Sequence, residues 1–284
     1  MRSQIFAHKV GLGLRPPHYP YLETRPHTEV AWFEAISENY MDSRGRPLGM
    51  LSLIRQDYPV ALHGVSMNIG SSEGVRTDYL NKLRDLIERI EPFLVSDHLC
   101  WTGSVSQNFH DLLPLPQTHE CIQRIVDNID FVQSYLRRPL TLENISSYVS
   151  FKNNEMSEWE FISEVARRSG CSLLLDLNNI HVNAFNHGFD PAEYLRAIPL
   201  EHVAQIHLGG ATDHGRYLFD THAEDIHEDV WNLFRSLAPS IRHVPVCIER
   251  DEDIPDFREL EEEVMKAVYI LEKSHETQRS PIYV

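Results

Sequence analysis

The chain has 284 residues, 42% hydrophobic and 24% charged, a globular composition long enough for a single α/β barrel of about 250 residues. Its formal net charge of −16 speaks against a surface that grips phosphates, which needs clustered Lys and Arg, so nucleic acid is not an expected partner. No apolar run approaches the roughly 18 residues of a membrane span, and MRSQIFAHKVGLGLRPPHYP lacks a signal-peptide core, so no membrane association and a cytoplasmic location are expected.

No linker, repeat or low-complexity tract interrupts the sequence, so one domain over 1–284 is expected. In chain order, the β-rich runs are KVGLGL (9–14), VAWFEAIS (30–37), PVALHGV (59–65) and FLVSDHL (93–99). PLTLENI (139–145), CSLLLDLN (171–178), VAQIHLGG (203–210) and VPVCIER (244–250) follow. Several are nearly continuous apolar runs, as strands covered on both faces should be.

Helical signals separate them. RTDYLNKLRDLIERI (76–90) repeats apolar residues at helical spacing, and SEWEFISEVARRSG (157–170) opens with a Ser157-x-x-Glu160 capping box and stops at Gly170. DPAEYLRAI (190–198) places Asp190 as cap and Pro191 at the first helical position, and DFRELEEEVMKAVYILEKSH (256–275) is a long closing helix. Eight strands alternating with helices predict a (β/α)8 TIM barrel. An open doubly wound sheet is the alternative, but no glycine-rich phosphate loop follows the first strand. Cys100, Cys121, Cys171 and Cys247 have no short paired spacing, so they read as small buried residues rather than a zinc site or disulfide framework.

Catalytic groups of such barrels sit at the C-terminal strand ends. His63 ends the third strand, His98 the fourth, Glu143 the fifth, Asp176 the sixth, His207 the seventh and Glu249 the eighth. Asp220 and His222 follow the seventh strand, and Asn178 and His181 follow the sixth. Each has an ordinary role available: a lone strand-end histidine is most often a satisfied core residue, Asp176 can cap the next turn, Glu249 can pair with Arg250 or Arg242, and Asp220 and His222 can be solvated. All of these must hold on consecutive strands for the row to mean nothing. Parallel strands bring the row to one mouth, where so many carboxylates and imidazoles are costly to bury unless cations neutralise them. Metal ions bound by His nitrogen and carboxylate oxygen do so, and three is a natural count if one carboxylate bridges two ions. Glu143, Asp176 and His207, mid-row, are the expected catalytic residues.

The order His, His, Glu, Asp, His, Asp-x-His, Glu resembles the xylose isomerase-like superfamily, especially the trinuclear zinc site of endonuclease IV. ISENYM (36–41), LHGVSMNIG (62–70), SDHLCW (96–101), LENISSY (142–148), LLLDLNNIHVNAFNHG (174–188), IHLGG (206–210), FDTHAE (219–224) and IERDEDIP (248–255) more closely resemble a second branch. This is the multinuclear non-haem iron-dependent oxidases, the family of the methanobactin biosynthesis oxidase and of enzymes that modify bufferin-type peptides, and the match runs along nearly the whole chain. The resemblance implies two to three iron ions, mixed Fe2+/Fe3+, with zinc or manganese as ions found on purification. It implies one ion on His63, His98 and Glu143, and a second on Asp176, His207 and Glu249 with Glu143 as bridge. A third would take Asp220, His222 and His181, with Asn178 as a further candidate. The segment DLNNIH departs from endonuclease IV by setting its histidine five residues beyond Asp176. The resemblance further implies a cysteine-containing precursor peptide as substrate, O2 as oxidant and a separate leader-binding partner protein. The implied chemistry is thiolate binding, loss of hydrogen from the cysteine β-carbon and ring closure by the adjacent amide to an oxazolone- or thiooxazole-like product. The loop NIGSSEG (68–74) lines a peptide channel or is a plain surface connection.

Three rivals stay open. An endonuclease IV-like trinuclear zinc phosphodiesterase needs a basic footprint that the net charge does not advertise. A sugar isomerase-like metalloenzyme needs proton-transfer apparatus such as a lysine in the barrel, and no predicted strand ends in Lys. A metal-storage or peptide-binding protein would not consume O2 with peptide.

Overall fold

Eight parallel strands close into a barrel in the computed structural model, which describes residues 10–104 and 107–279. They are β1 (Val10–Gly13), β2 (Phe33–Ile36), β3 (Val60–Gly64), β4 (Leu94–His98), β5 (Thr141–Glu143), β6 (Ser172–Asp176), β7 (Val203–Leu208) and β8 (Val246–Ile248). Each pairs with its neighbours in chain order, and β8 returns to β1, so the sheet has no edge. All eight are nearly wholly buried, which explains their continuous apolar character. Lys9, the first residue of the first predicted strand, and residues 1–8 of the N-terminal segment read for a signal lie outside the described residues.

The helices form the outer ring: α1 (Arg46–Asp57), α2 (Thr77–Ile90), α3 (His119–Leu136), α4 (Glu158–Ser169), α5 (Leu177–His187), α6 (Pro191–Ala197), α7 (Glu228–Leu237) and α8 (Phe257–Arg279). Leu80, Leu83, Leu86 and Ile90 form the buried stripe of α2. The capping box at Ser157 and Glu160 is present, and α4 stops at Gly170 in the left-handed conformation (φ 67°).

The strands are mostly shorter than the predicted runs, and at two of them the cause bears on the site. The sixth strand ends at Asp176 rather than running to 178, because the Asp176 side chain accepts the Asn179 N–H (2.6 Å) and starts α5 at once. The seventh ends at Leu208, because Gly209 and Gly210 pass directly beneath the following loop. A Cβ on Gly209 would collide with the His222 ring, and one on Gly210 with the Glu224 carbonyl. A hairpin (Trp101–Ser104 with Gln107–Leu113) that periodicity did not foresee stands on the loop after β4.

Register places the row of polar strand ends. His98 pairs with Glu143, and Asp176 with His207, so residues far apart in sequence become side-by-side neighbours at one mouth.

Candidate metal centre

His63, His98, Glu143, Asp176, His207, His222 and Glu249 are all buried at the C-terminal mouth of the barrel. Glu143 stands between two groups. Its Oε2 lies 3.2 Å from His63 Nε2 and 3.4 Å from His98 Nε2, while its Oε1 lies 3.5 Å from His207 Nδ1. His98 Nδ1 donates to the Gly64 carbonyl (3.0 Å) and His63 Nδ1 meets Ser96 Oγ (2.9 Å), so both rings turn Nε2 towards Glu143. On the other side, His207 Nδ1 lies 2.8 Å from Glu249 Oε2 and 3.9 Å from Asp176 Oδ2.

These approaches are short, but many are misaligned as hydrogen bonds. Glu143 Oε2, Asp176 Oδ2, Asn178 Oδ1, His207 Nδ1 and His222 Nε2 are buried with no hydrogen-bond partner. Buried polar atoms are normally satisfied, so five unmet donors and acceptors converging on one region fit cations that replace the missing partners. The donors are imidazole nitrogens and carboxylate oxygens, a set suited to iron, manganese or zinc. Two groups with mutually close donor atoms share Glu143: His63, His98 and Glu143, and Glu143, Asp176, His207 and Glu249.

The protein's own charges cannot settle this cluster. Burial pushes Glu143 up to about 7, against the pull of His207 and with repulsion from Glu249 and Glu34. Burial also raises Asp176 well above the usual carboxylate range, outweighing His222. His63 is pulled down to about 3 by burial and then by its neighbour His98. Burial opposes ionisation of Glu249 too, but His207 and His222 hold it well below the usual range.

Further out, His222 Nε2 lies 3.1 Å from Asp220 Oδ1 and 3.6 Å from Asp176 Oδ2. Its Nδ1 lies 3.3 Å from Glu249 Oε2 and 3.4 Å from Asp251 Oδ2. Asn178 Nδ2 donates to Asp220 Oδ1 (2.8 Å), leaving Asn178 Oδ1 free of hydrogen bonds. His222 itself has φ 47°, a left-handed backbone uncommon for a side-chain-bearing residue, and its carbonyl accepts the Asp251 N–H (2.9 Å).

His181 departs from expectation. Because α5 starts immediately after Asp176, Asn178 and Asn179 in its first turn stay at the mouth. His181 instead faces α7, its ring stacked on His227 at 5.2 Å near Asp229. Among the described residues, no hydrogen bond or ion pair joins it to Asp220 or His222. The expected partners of Glu249 also change. Arg15, just beyond β1, takes Glu249 Oε1 (3.2 Å) and Asp251, whereas Arg250 turns to the Ala223 carbonyl and Asp225. Burial opposes the charge on Arg15, but Asp251 and Glu249 keep it protonated.

Sequence reasoning missed Glu34, buried on β2 at 2.8 Å from His207 Nε2, together with Arg15 and Asp251. For Glu34 the signal was present: a carboxylate within the apolar run FEAI, the same anomaly that marked Glu143. Tyr148 was also missed. It stacks on Phe219 (5.1 Å) and its hydroxyl accepts the Asp220 N–H (3.0 Å), fixing that rim.

A cavity of about 180 Å³ opens over the centre, lined by His63, His98, Glu143, Asp220, His222 and Glu249 and by an apolar collar of Ile36, Val65, Leu112 and Ile145. Loop 68–74 does not line it. Its Ile69 and Ser71 carbonyls accept from Asn128 of α3, which ties it to the barrel wall.

The chain is similar over 95% of its length to endonuclease IV from Thermus thermophilus (14% identity, TM-score 0.58, 99% of that chain). It is similar over 97% to an L-ribulose 3-epimerase (14% identity, TM-score 0.63, 99% of that chain). Both likenesses are of the barrel fold, at identities that speak to fold alone. A UPF0276 protein of Caulobacter vibrioides is 50% identical over 250 residues, covering 88% of this chain and 89% of its own. Residues 9–272 match the family described as "RiPP precursor modification enzyme MbnB/TglH/ChrH". A match of that extent places the chain in the MbnB/TglH/ChrH family of enzymes that modify the precursors of ribosomally synthesised peptides.

Proposed function

We propose that this protein is a multinuclear iron-dependent oxidase that uses O2 to oxidise cysteine in a ribosomally synthesised precursor peptide, delivered by a separate leader-binding partner. The observation that carries the reading is the position of Glu143, whose two oxygens face two different imidazole groups. A bridging carboxylate needs this arrangement, and a merely structural one has no use for it. His63, His98 and Glu143 would hold one ion, and Glu143, Asp176, His207 and Glu249 a second. Asp220, His222 and Asn178 would hold a third at the rim. Iron bound there would supply one-electron exchange with O2 as well as thiolate binding; zinc can bind a thiolate but has no such redox chemistry.

The rest is done by the chain. The cavity has the size of one side chain, and its collar of Ile36, Val65, Leu112 and Ile145 admits a cysteine while limiting water. Arg15 anchors Glu249 and Asp251 from behind, so the carboxylates stay fixed when a substrate enters.

The test is metal content per chain in protein purified without oxygen from iron-fed cells, followed by O2 uptake with cysteine-containing precursor peptide. Two to three irons, with uptake that requires the peptide cysteine and vanishes when it is replaced by serine, support the reading. Zinc in the same ratio whatever the iron supply, with no O2 uptake, replaces it with a hydrolytic one.

A further inference from the structure

We infer that Glu34 is a positioning residue of the metal centre, accepting the Nε2–H of His207 and so presenting Nδ1 of that ring to the metals. The inference rests on the reading of the centre as a metal site, and on geometry within it.

His207 has two faces in this barrel. Its approaches to Glu249 Oε2 (2.8 Å), Glu143 Oε1 (3.5 Å) and Asp176 Oδ2 (3.9 Å) are all made by Nδ1. Its Nε2 points the other way, to Glu34 Oε1 at 2.8 Å. A neutral imidazole carries one N–H and one lone pair. A cation that takes the Nδ1 lone pair leaves the proton on Nε2, and the carboxylate oxygen within reach there is Glu34 Oε1. That oxygen is buried and no aligned hydrogen bond reaches it, so a proton fixed on Nε2 would meet its need. Gln205 lies two residues before His207 on β7, hence on the same face, and its amide donates to Glu34 Oε2 (2.5 Å). The same amide nitrogen lies 2.8 Å from His207 Nε2, a contact between two donors once that ring nitrogen is protonated, so Gln205 serves as the anchor of Glu34 and not as an acceptor for the ring.

Glu34 is therefore placed behind the histidine rather than beside the ions. Its close approach is to the nitrogen that faces away from Glu143, Asp176 and Glu249. A carboxylate behind a metal-bound imidazole fixes the tautomer and ring orientation and makes the ligand more basic; losing such a partner typically costs about 10–100-fold in metal affinity.

The test loads the metal-free full chain with cobalt(II) against a competing chelator, the two inner sites being told apart by their loss in His63→Ala and Asp176→Ala. In Glu34→Gln, thermal melting and cobalt stoichiometry should match the unsubstituted protein. The site that contains His207 should weaken by about 10–100-fold while the His63–His98 site is unchanged. Gln205→Leu, which leaves the carboxylate but removes its anchor, should weaken the same site by less than about tenfold. In the zinc-loaded protein, long-range 15N spectra should show His207 as the Nε2–H tautomer. Unchanged affinity in Glu34→Gln, equal weakening of both sites, outright loss of one cobalt at saturation, or an Nδ1–H tautomer would each overturn the role. Failure of the unsubstituted chain to bind cobalt at all would instead overturn the metal centre itself.

Discussion

Among the described residues, two regions of the barrel gather histidine and carboxylate, and one of them has the makings of a site. At the mouth, His63, His98 and Glu143 bring their donor atoms within 4.8 Å of one another, and on the outer surface His181, His227 and Asp229 do the same. The residue types are equivalent. The surroundings are not. The outer rings stack nearly parallel, with His227 and Asp229 largely exposed, and His227 Nδ1 is engaged by the Asp229 N–H as the cap of α7. Water and a helix end meet its needs. The inner atoms have neither, and several are buried without a partner. Unmet hydrogen bonding in a low-dielectric place, more than proximity, is what a cation relieves.

The largest effect should come from the carboxylate that joins the inner groups. Glu143→Ala should lose more than one metal per chain on elemental analysis, and loss of at most one would refute bridging. His222→Ala should be milder, removing the rim ion and leaving the inner pair. Loss of all metal from that variant would mean that the rim and the inner groups are one unit.

A third kind of acid sharpens the contrast. Glu158 is enclosed but satisfied, accepting from Tyr194 Oη (2.9 Å) and Asn183 Nδ2 (3.0 Å). Burial still pushes it up to about 7, against those two hydrogen bonds. With the folded value above the unfolded one, its protonated form stabilises the fold fully below about pH 4.5, and that contribution is lost as pH rises through about 7. Part of the residue remains at the solvent edge, which reduces the effect to about 1–2 kcal/mol. Urea unfolding at pH 5 and pH 8 should show Glu158→Gln removing that slope, and an unchanged slope would locate the pH dependence elsewhere.

The smallest effect is predicted for the outer cluster. His181→Ala should leave metal content unaltered. His227→Ala should do likewise and shift stability by no more than about 1 kcal/mol, the worth of a helix cap. Loss of a metal from either variant would erase the distinction drawn between the two clusters.

The difference between Asp176 and His181 shows where sequence reasoning reaches its limit. Asp176 ends an apolar run, so its place at the mouth follows from the strand itself. It serves both its ordinary role and the site, with Oδ1 capping α5 and Oδ2 left towards His207 and His222. His181 is five residues further on, and its direction depends on whether the intervening chain is loop or helix. The cap made it helix and turned it to α7. Tyr148 and Asp251 were illegible for a similar reason, since each gains meaning only from a partner more than 25 positions away.

The sequence alone determined the barrel and the row of His, Glu and Asp at its strand ends, because apolar periodicity and strand direction are local properties that tertiary contacts did not override. Only the tertiary structure decided which atoms of that row face one another. Closure of the barrel brings β2 within reach of β7, so Glu34 meets His207, and brings the end of β1 to Glu249 through Arg15. Such pairings depend on register and on the curvature of a closed sheet, which no local pattern along the chain encodes.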